Sequence, residues 1–203
     1  EYVTGTGPED HVRRPGPTRR ACAMSDELLD RIRNAMRTVP DFPIDGIMFR
    51  DITPVLGEPG LLASIADRFA RDIKELGWEP DAVIGPEARG FIFGPLLAER
   101  LGIGFVPVRK PGKLPASTIQ VEYSLEYGSN VLEIHDDALQ EGQKAIIVDD
   151  LLATGGTISA CVKLCEGLGA KVIGAAFLIE LEGLGAREAI APVQAHALLS
   201  YPA

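Results

Sequence analysis

The chain has 203 residues, 46% of them hydrophobic, with 20 Lys and Arg against 29 Asp and Glu and a net charge of -9. That size and content suit one globular domain with an adequate core, and the acidic balance argues against a nucleic-acid binder, which presents a basic face. No apolar run approaches the ~18 residues of a membrane span. The three cysteines, Cys22, Cys161 and Cys165, contain no CxxC pair, which speaks against a zinc site or a disulfide framework and for a reduced, cytoplasmic setting.

Residues 1–23 hold four arginines among glycines and prolines without apolar periodicity. They are expected to form a disordered or non-native extension, lacking the apolar stretch of an export signal, with residues 24–203 as a single domain. Ser25 is expected to cap a helix with Leu28, Leu29, Ile32 and Met36 on one face. After an irregular Pro-rich segment, Leu61, Leu62, Ile65, Phe69, Ile73 and Leu76 mark a second amphipathic helix. DAVIG (81–85) reads as a buried strand, GFIFGPLLAERLG (90–102) as a helix and GFVPVR (104–109) as a strand. Residues 110–130 are polar, contain Gly and Pro, and exceed an ordinary connection. NVLEIH (130–135) and AIIVD (145–149) read as strands, TISACVKLCEGLG (157–169) as a helix and KVIGAAFLIE (171–180) as a strand. The alternation predicts an α/β fold, a mostly parallel doubly wound sheet flanked by helices. Cys161 and Cys165, one helical turn apart, read as small buried apolar residues, and His135 as structural.

The stretch VDDLLATGGT (148–157) carries the chemistry. In such a sheet, ligands sit at the carboxyl ends of the strands. Gly155 and Gly156 let the backbone turn tightly, Thr154 and Thr157 supply hydroxyls, and the following helix offers its positive dipole end, so the loop suits a phosphate. It is neither a Walker loop nor GxGxxG. Asp149 and Asp150 would repel a phosphate and must address something else on the same ligand, hydroxyl groups or a magnesium ion. Phosphate, vicinal hydroxyls and a metal-bound polyphosphate together describe a phosphorylated ribose.

VDDLLATGGT is similar to the phosphoribosyl pyrophosphate (PRPP) signature of type I phosphoribosyltransferases. The chain resembles the adenine-using branch of that family from about Met24 onward, through DFPIDGIMFRDITPVL, GPEARGFIFGPLLA, VRKPGKLP and YSLEYG in that order. The resemblance implies a magnesium-assisted reaction of adenine with PRPP that gives AMP and pyrophosphate, a purine salvage step. The metal is then held mainly by PRPP and water, with no metal ligands in the protein. The 5'-phosphate falls to Ala153, Thr154, Gly155, Gly156 and Thr157, and the ribose hydroxyls to Asp149 and Asp150. Phe49 is implied to stack on adenine, Met48 and Arg50 to read its edge through backbone groups, and Leu151 to cover its other face. Ala153 stands where 6-oxopurine relatives have an aspartate, which favours a 6-aminopurine.

Arg89 is implied to hold pyrophosphate beside a cis Glu87–Ala88 bond, although Pro86 replaces the branched apolar residue usual there. Arg109, Lys110 and Lys113 fall near the leaving group, in a family where such residues can cross a homodimer interface. A lid at about 110–130 would bring Tyr123, Tyr127 and Glu126, the last as acid/base beside the purine imidazole. Two alternatives stay open: a phosphoribosyltransferase for a 6-oxopurine, and a non-catalytic PRPP-sensing regulatory protein. The latter reading needs a DNA-binding module, and the acidic balance and the shortness of residues 1–23 speak against it.

Overall fold

The structure, a computed structural model, describes the backbone of residues 19–124 and 129–203 and the side chains of 27–123 and 130–203. The described chain opens with α1 (Arg19–Ala35), the strands β1 (Arg37–Val39) and β2 (Phe49–Asp51), and the short helix α2 (Thr53–Gly57). There follow α3 (Leu61–Glu75), β3 (Ala82–Pro86), α4 (Gly90–Leu101) and β4 (Gly104–Val108). Strands β5 (Thr118–Ser124) and β6 (Ser129–His135) precede β7 (Lys144–Leu152), α5 (Gly156–Gly167), β8 (Lys171–Glu182), α6 (Ala186–Ala189) and β9 (Ala195–Pro202).

Five of these strands form one sheet in the order β4-β3-β7-β8-β9, with every neighbouring pair parallel. Parallel strands are covered on both faces and so read as continuous apolar runs. Alternation then sorts the side chains: Ile146, Val148, Ala176 and Leu178 join the core beneath α1, α3 and α4. Ala145, Ile147, Ala175 and Phe177 face the core beneath α5 and the β5–β6 pair. Each large side chain taken fully out of water contributes about 1.5–3 kcal/mol.

Helix α3 buries Leu61, Ile65, Phe69 and Ile73 at helical spacing. Its Phe69 meets Phe93 of α4 edge to face, ring centroids 6.3 Å apart. Helix α4 in turn lies close on the sheet because Gly94 has no side chain; a Cβ there would overlap the Phe105 ring.

The α/β class and parallel sheet are as expected, with several corrections. Helix α1 begins at Arg19, so Ser25 lies inside it and does not cap it; the Arg, Ala and Met residues ahead of Ser25 are good helix formers. Residues 1–18 fall outside the described residues, and with them most of the expected 1–23 extension. Leu76 is 46% exposed, since α3 ends before it and Leu76 occupies the C-cap position. The NVLEIH strand, β6, stays out of the main sheet and pairs antiparallel with β5. Strand β5 occupies part of residues 110–130, in which no strand was marked. The alternation of Ile119, Val121 and Tyr123 with polar neighbours carried its signal, and these three pack toward α5. Strands β1 and β2, which pair antiparallel, and the edge strand β9 were not foreseen.

Candidate active site

Strand β7 runs further than AIIVD, through both aspartates to Leu152, with Asp149 opposite Phe177 and Leu151 opposite Ile179 of β8. The chain then turns into α5 at Gly155, whose φ is +83° and where a Cβ would lie 2.9 Å from the Ala186 carbonyl oxygen. A side chain is excluded there on both counts. No side chain caps α5, and the amides of a helix's first turn have no intrahelical acceptor. These residues border a cavity of about 170 Å³ lined by Arg89 and residues 149–158, a geometry that suits an anion. Across the top, the Tyr123 hydroxyl lies 3.5 Å from Thr157 Oγ1.

Asp149 and Asp150 sit at the mouth of this loop. Asp150 is buried at 4% exposure, and its Oδ2 lies 2.6 Å from Nε of Arg89, the residue that precedes α4. The Glu87–Ala88 bond, between β3 and Arg89, is cis. Asp149 Oδ1 accepts the Asp150 N–H at 2.9 Å. Burial, and then the neighbouring Asp150 charge, push the Asp149 carboxyl well above the usual carboxylate range. Behind it on α5, burial pushes the Cys161 thiol well up and the Cys165 thiol to about 12. Both cysteines are free and buried, packed as small apolar residues as expected. Among the described residues, no three His, Cys, Asp or Glu side chains gather to hold a metal ion. Two adjacent carboxylates, one already ion-paired, suit the hydroxyl groups of a sugar.

A second cavity of about 170 Å³ opens beside the first, lined by Ile47, Met48, Phe49, Arg50, Leu151, Ile179 and Leu181 with Asp150 and Arg89. It unites the β2 segment with Leu151, which are far apart in sequence. Phe49 is braced edge-on by Phe42 at 5.0 Å. Beyond Phe49 lies a further apolar hollow that includes Val39, Ile52, Leu56 and Ile92 and again touches Arg89. The Arg50 side chain is engaged elsewhere: Nη1 donates to Thr38 Oγ1 at 2.6 Å, and its guanidinium lies 4.3 Å over the Tyr201 ring.

The basic segment after β4 does not border these three cavities. Arg109 Nε donates to Glu87 Oε2 at 2.9 Å and Nη1 to the Lys113 carbonyl at 3.2 Å. Its guanidinium lies 5.7 Å from the centre of the Phe91 ring. The Lys110 N–H donates to Glu87 Oε1 at 3.1 Å, and Lys110 and Lys113 are exposed. A residue sequence reasoning missed, Glu133, organises this loop. Buried at 2% exposure, it accepts the Lys113 and Leu114 N–H groups, each at 3.2 Å, and the Gln120 amide at 3.1 Å. Burial alone would raise its carboxyl, but the Leu114, Lys113 and Gln120 donors hold it below the usual range. A lone acid inside VLEI was the available signal. Glu126 and Tyr127 lie outside the described residues.

Residues 56–197 match the family model described as a phosphoribosyl transferase domain, and the chain belongs to that family. The curated adenine phosphoribosyltransferase of Francisella tularensis subsp. novicida is 54% identical over 173 residues, which cover 85% of this chain and 99% of the relative. A crystal structure of adenine phosphoribosyltransferase from Thermoanaerobacter pseudethanolicus superposes with a TM-score of 0.82 at 50% identity, covering 85% of this chain and 99% of that one. The Saccharomyces cerevisiae adenine phosphoribosyltransferase, solved with an imino-altritol bisphosphate and adenine, gives 0.82 at 39% identity, covering 86% and 99%.

Proposed function

We infer that the chain transfers the 5-phosphoribosyl group of PRPP to N9 of adenine, giving AMP and pyrophosphate, a purine salvage reaction. The observation that carries this is the position of Arg89. One side chain borders the anion loop, the carboxylate pair and the apolar cleft of Phe49 and Leu151. A phosphate, a sugar and a flat base joined in one ligand fit that arrangement. Residues 153–157 hold the 5'-phosphate, Asp149 and Asp150 the ribose hydroxyls, and Arg89 the diphosphate. Phe49 and Leu151 enclose the base while the backbone of Met48 and Arg50 reads its edge.

In the reaction the C1'–O bond to pyrophosphate breaks, a bond from C1' to N9 forms, and the purine gives up its imidazole proton. The carboxylate pair favours the positive charge that develops on the sugar. Glu126 takes the proton, and Tyr127, in a lid spanning about 110–130, covers the ribosyl centre. Magnesium, held mainly by PRPP and water, neutralises diphosphate charge when bound. Arg109 is held by Glu87, whereas the exposed Lys110 and Lys113 are free to reach a leaving group in a partner copy, which suits a homodimer. Reduced buried cysteines suit a cytoplasmic enzyme; among the described residues no helix is long and apolar enough to cross a membrane.

The test is nucleotide formation from PRPP and magnesium with adenine, hypoxanthine, guanine or xanthine. AMP should form from adenine, and the three oxopurines should give little product. No AMP from adenine would overturn the assignment.

A further inference from the structure

The base-reading segment is not part of the main sheet. Strands β1 and β2 form a separate two-stranded arm in which Thr38 stands opposite Arg50 and Val39 opposite Phe49. Such a short pair is not stable by itself, so its position depends on what ties it down. Arg50 carries two ties, the hydrogen bond to Thr38 within the arm and the contact of its guanidinium with the Tyr201 ring at 4.3 Å. Tyr201 belongs to β9, the edge strand of the main sheet, and its register partner on β8 is Leu181, which lines the base cleft. The ring therefore links the arm to the strand next to the one that walls the cleft.

We propose that Tyr201 is a positioning residue for base recognition: by holding the Arg50 guanidinium it sets the distance between the 48–50 backbone and the Leu151 side of the cleft. A flat base needs both walls at contact distance, so loosening the arm weakens adenine and leaves the phosphate and sugar contacts, built on β7 and α5, unaltered. This rests on the assignment of the cleft to adenine. The ring supplies the hold through its face, so a phenyl ring can replace it, while an aliphatic side chain cannot.

The experiment is steady-state kinetics on Tyr201→Leu, Tyr201→Phe and Phe49→Ala, each with a thermal melt. Tyr201→Leu should raise the KM for adenine about 3- to 30-fold, the range of a partly buried cation–π contact, with the KM for PRPP unchanged. Tyr201→Phe should restore the adenine KM. Should the leucine variant fail to fold, Tyr201→Met makes the same test. An unaltered adenine KM in the aliphatic variant, an equal rise in both KM values, or a phenylalanine variant as impaired as leucine would each overturn the proposal. Phe49→Ala separates the two levels of inference. If it raises the adenine KM while Tyr201→Leu does not, only the role of Tyr201 fails. An unchanged adenine KM in Phe49→Ala overturns the cleft assignment and the proposal with it.

Discussion

The loop between β7 and α5, proposed to hold an anion, and the β1–β2 arm, proposed to read the base, both border cavities lined by Arg89, yet they are made of different materials. The loop is backbone: a glycine at positive φ, a helix start without a side-chain cap, and a strand paired on both sides within the main sheet. The arm is a pair of three-residue strands outside that sheet, held by side chains, Phe42 against Phe49 and Arg50 between Thr38 and Tyr201. A phosphate presents the same charge in every orientation about its axis, so fixed amides on a rigid frame suffice. A base must be clasped on both faces, and a separate arm can approach the sheet to do that. The difference also assigns vulnerability. The loop should fail through one backbone position, and the arm should weaken by degrees.

The largest effect should come from Gly155→Val. Both the left-handed φ and the 2.9 Å approach to the Ala186 carbonyl forbid the new side chain, so the loop must shift. A displacement of about 1 Å at a reacting group lowers rates roughly 100-fold. The expected outcome is a fall of that order or more in kcat/KM for PRPP, with the melt showing a folded protein. A loss under about tenfold would mean that the loop tolerates a side chain and that backbone rigidity is not its principle.

Next is Arg89→Ala, which removes the wall shared by loop and cleft and leaves the buried Asp150 carboxylate without its ion pair. Charged hydrogen bonds contribute about 1.5–3 kcal/mol, so the KM for PRPP should rise about 10- to 150-fold. An unchanged PRPP KM would detach Arg89 from the diphosphate.

The smallest effect concerns pH and sets the two regions against each other. The Asp149 carboxyl is raised by burial and by Asp150. In the ligand-free protein its contribution is complete below the ordinary aspartate value and is lost as pH climbs through the raised one. Asp51, at the foot of the arm, is lowered by hydrogen bonds from Thr53 and by Arg37. Its contribution is present above the ordinary value and is lost as pH falls through the lowered one. Thermal unfolding of Asp149→Asn across the acid-to-neutral range should therefore show less decline toward neutral pH than the parent. Asp51→Asn should show less decline toward acid. Parallel profiles for the two variants would cancel the contrast.

How legible each region was follows from how it is built. VDDLLATGGT is contiguous, so its strand, turn and helix start could be read directly, and the loop lies where expected. Leu61, Ile65, Phe69 and Ile73 repeat at helical spacing and are buried together. Strand β9 escaped notice because AHALLSYP mixes His, Ser and Pro into an edge strand with neither a clean alternation nor a continuous apolar run. Tyr201, which lies on it, escaped for the same reason. Glu133 was visible as an acid in an apolar strand, but its partners lie 13 to 20 residues earlier, in the loop before β5 and on β5 itself, a pairing that no local pattern announces.

By itself the sequence determined the α/β class, the parallel core strands and the glycine turn between β7 and α5, because hydrophobic period and glycine stereochemistry act over a few neighbouring residues. Only the tertiary structure decided that Phe49 and Leu151 line one cavity, that Arg89 reaches Asp150 while Arg109 is held by Glu87, and that Tyr201 of the last strand lies against Arg50. Those contacts join residues far apart in the chain, and their geometry exists only once the sheet and its helices have packed.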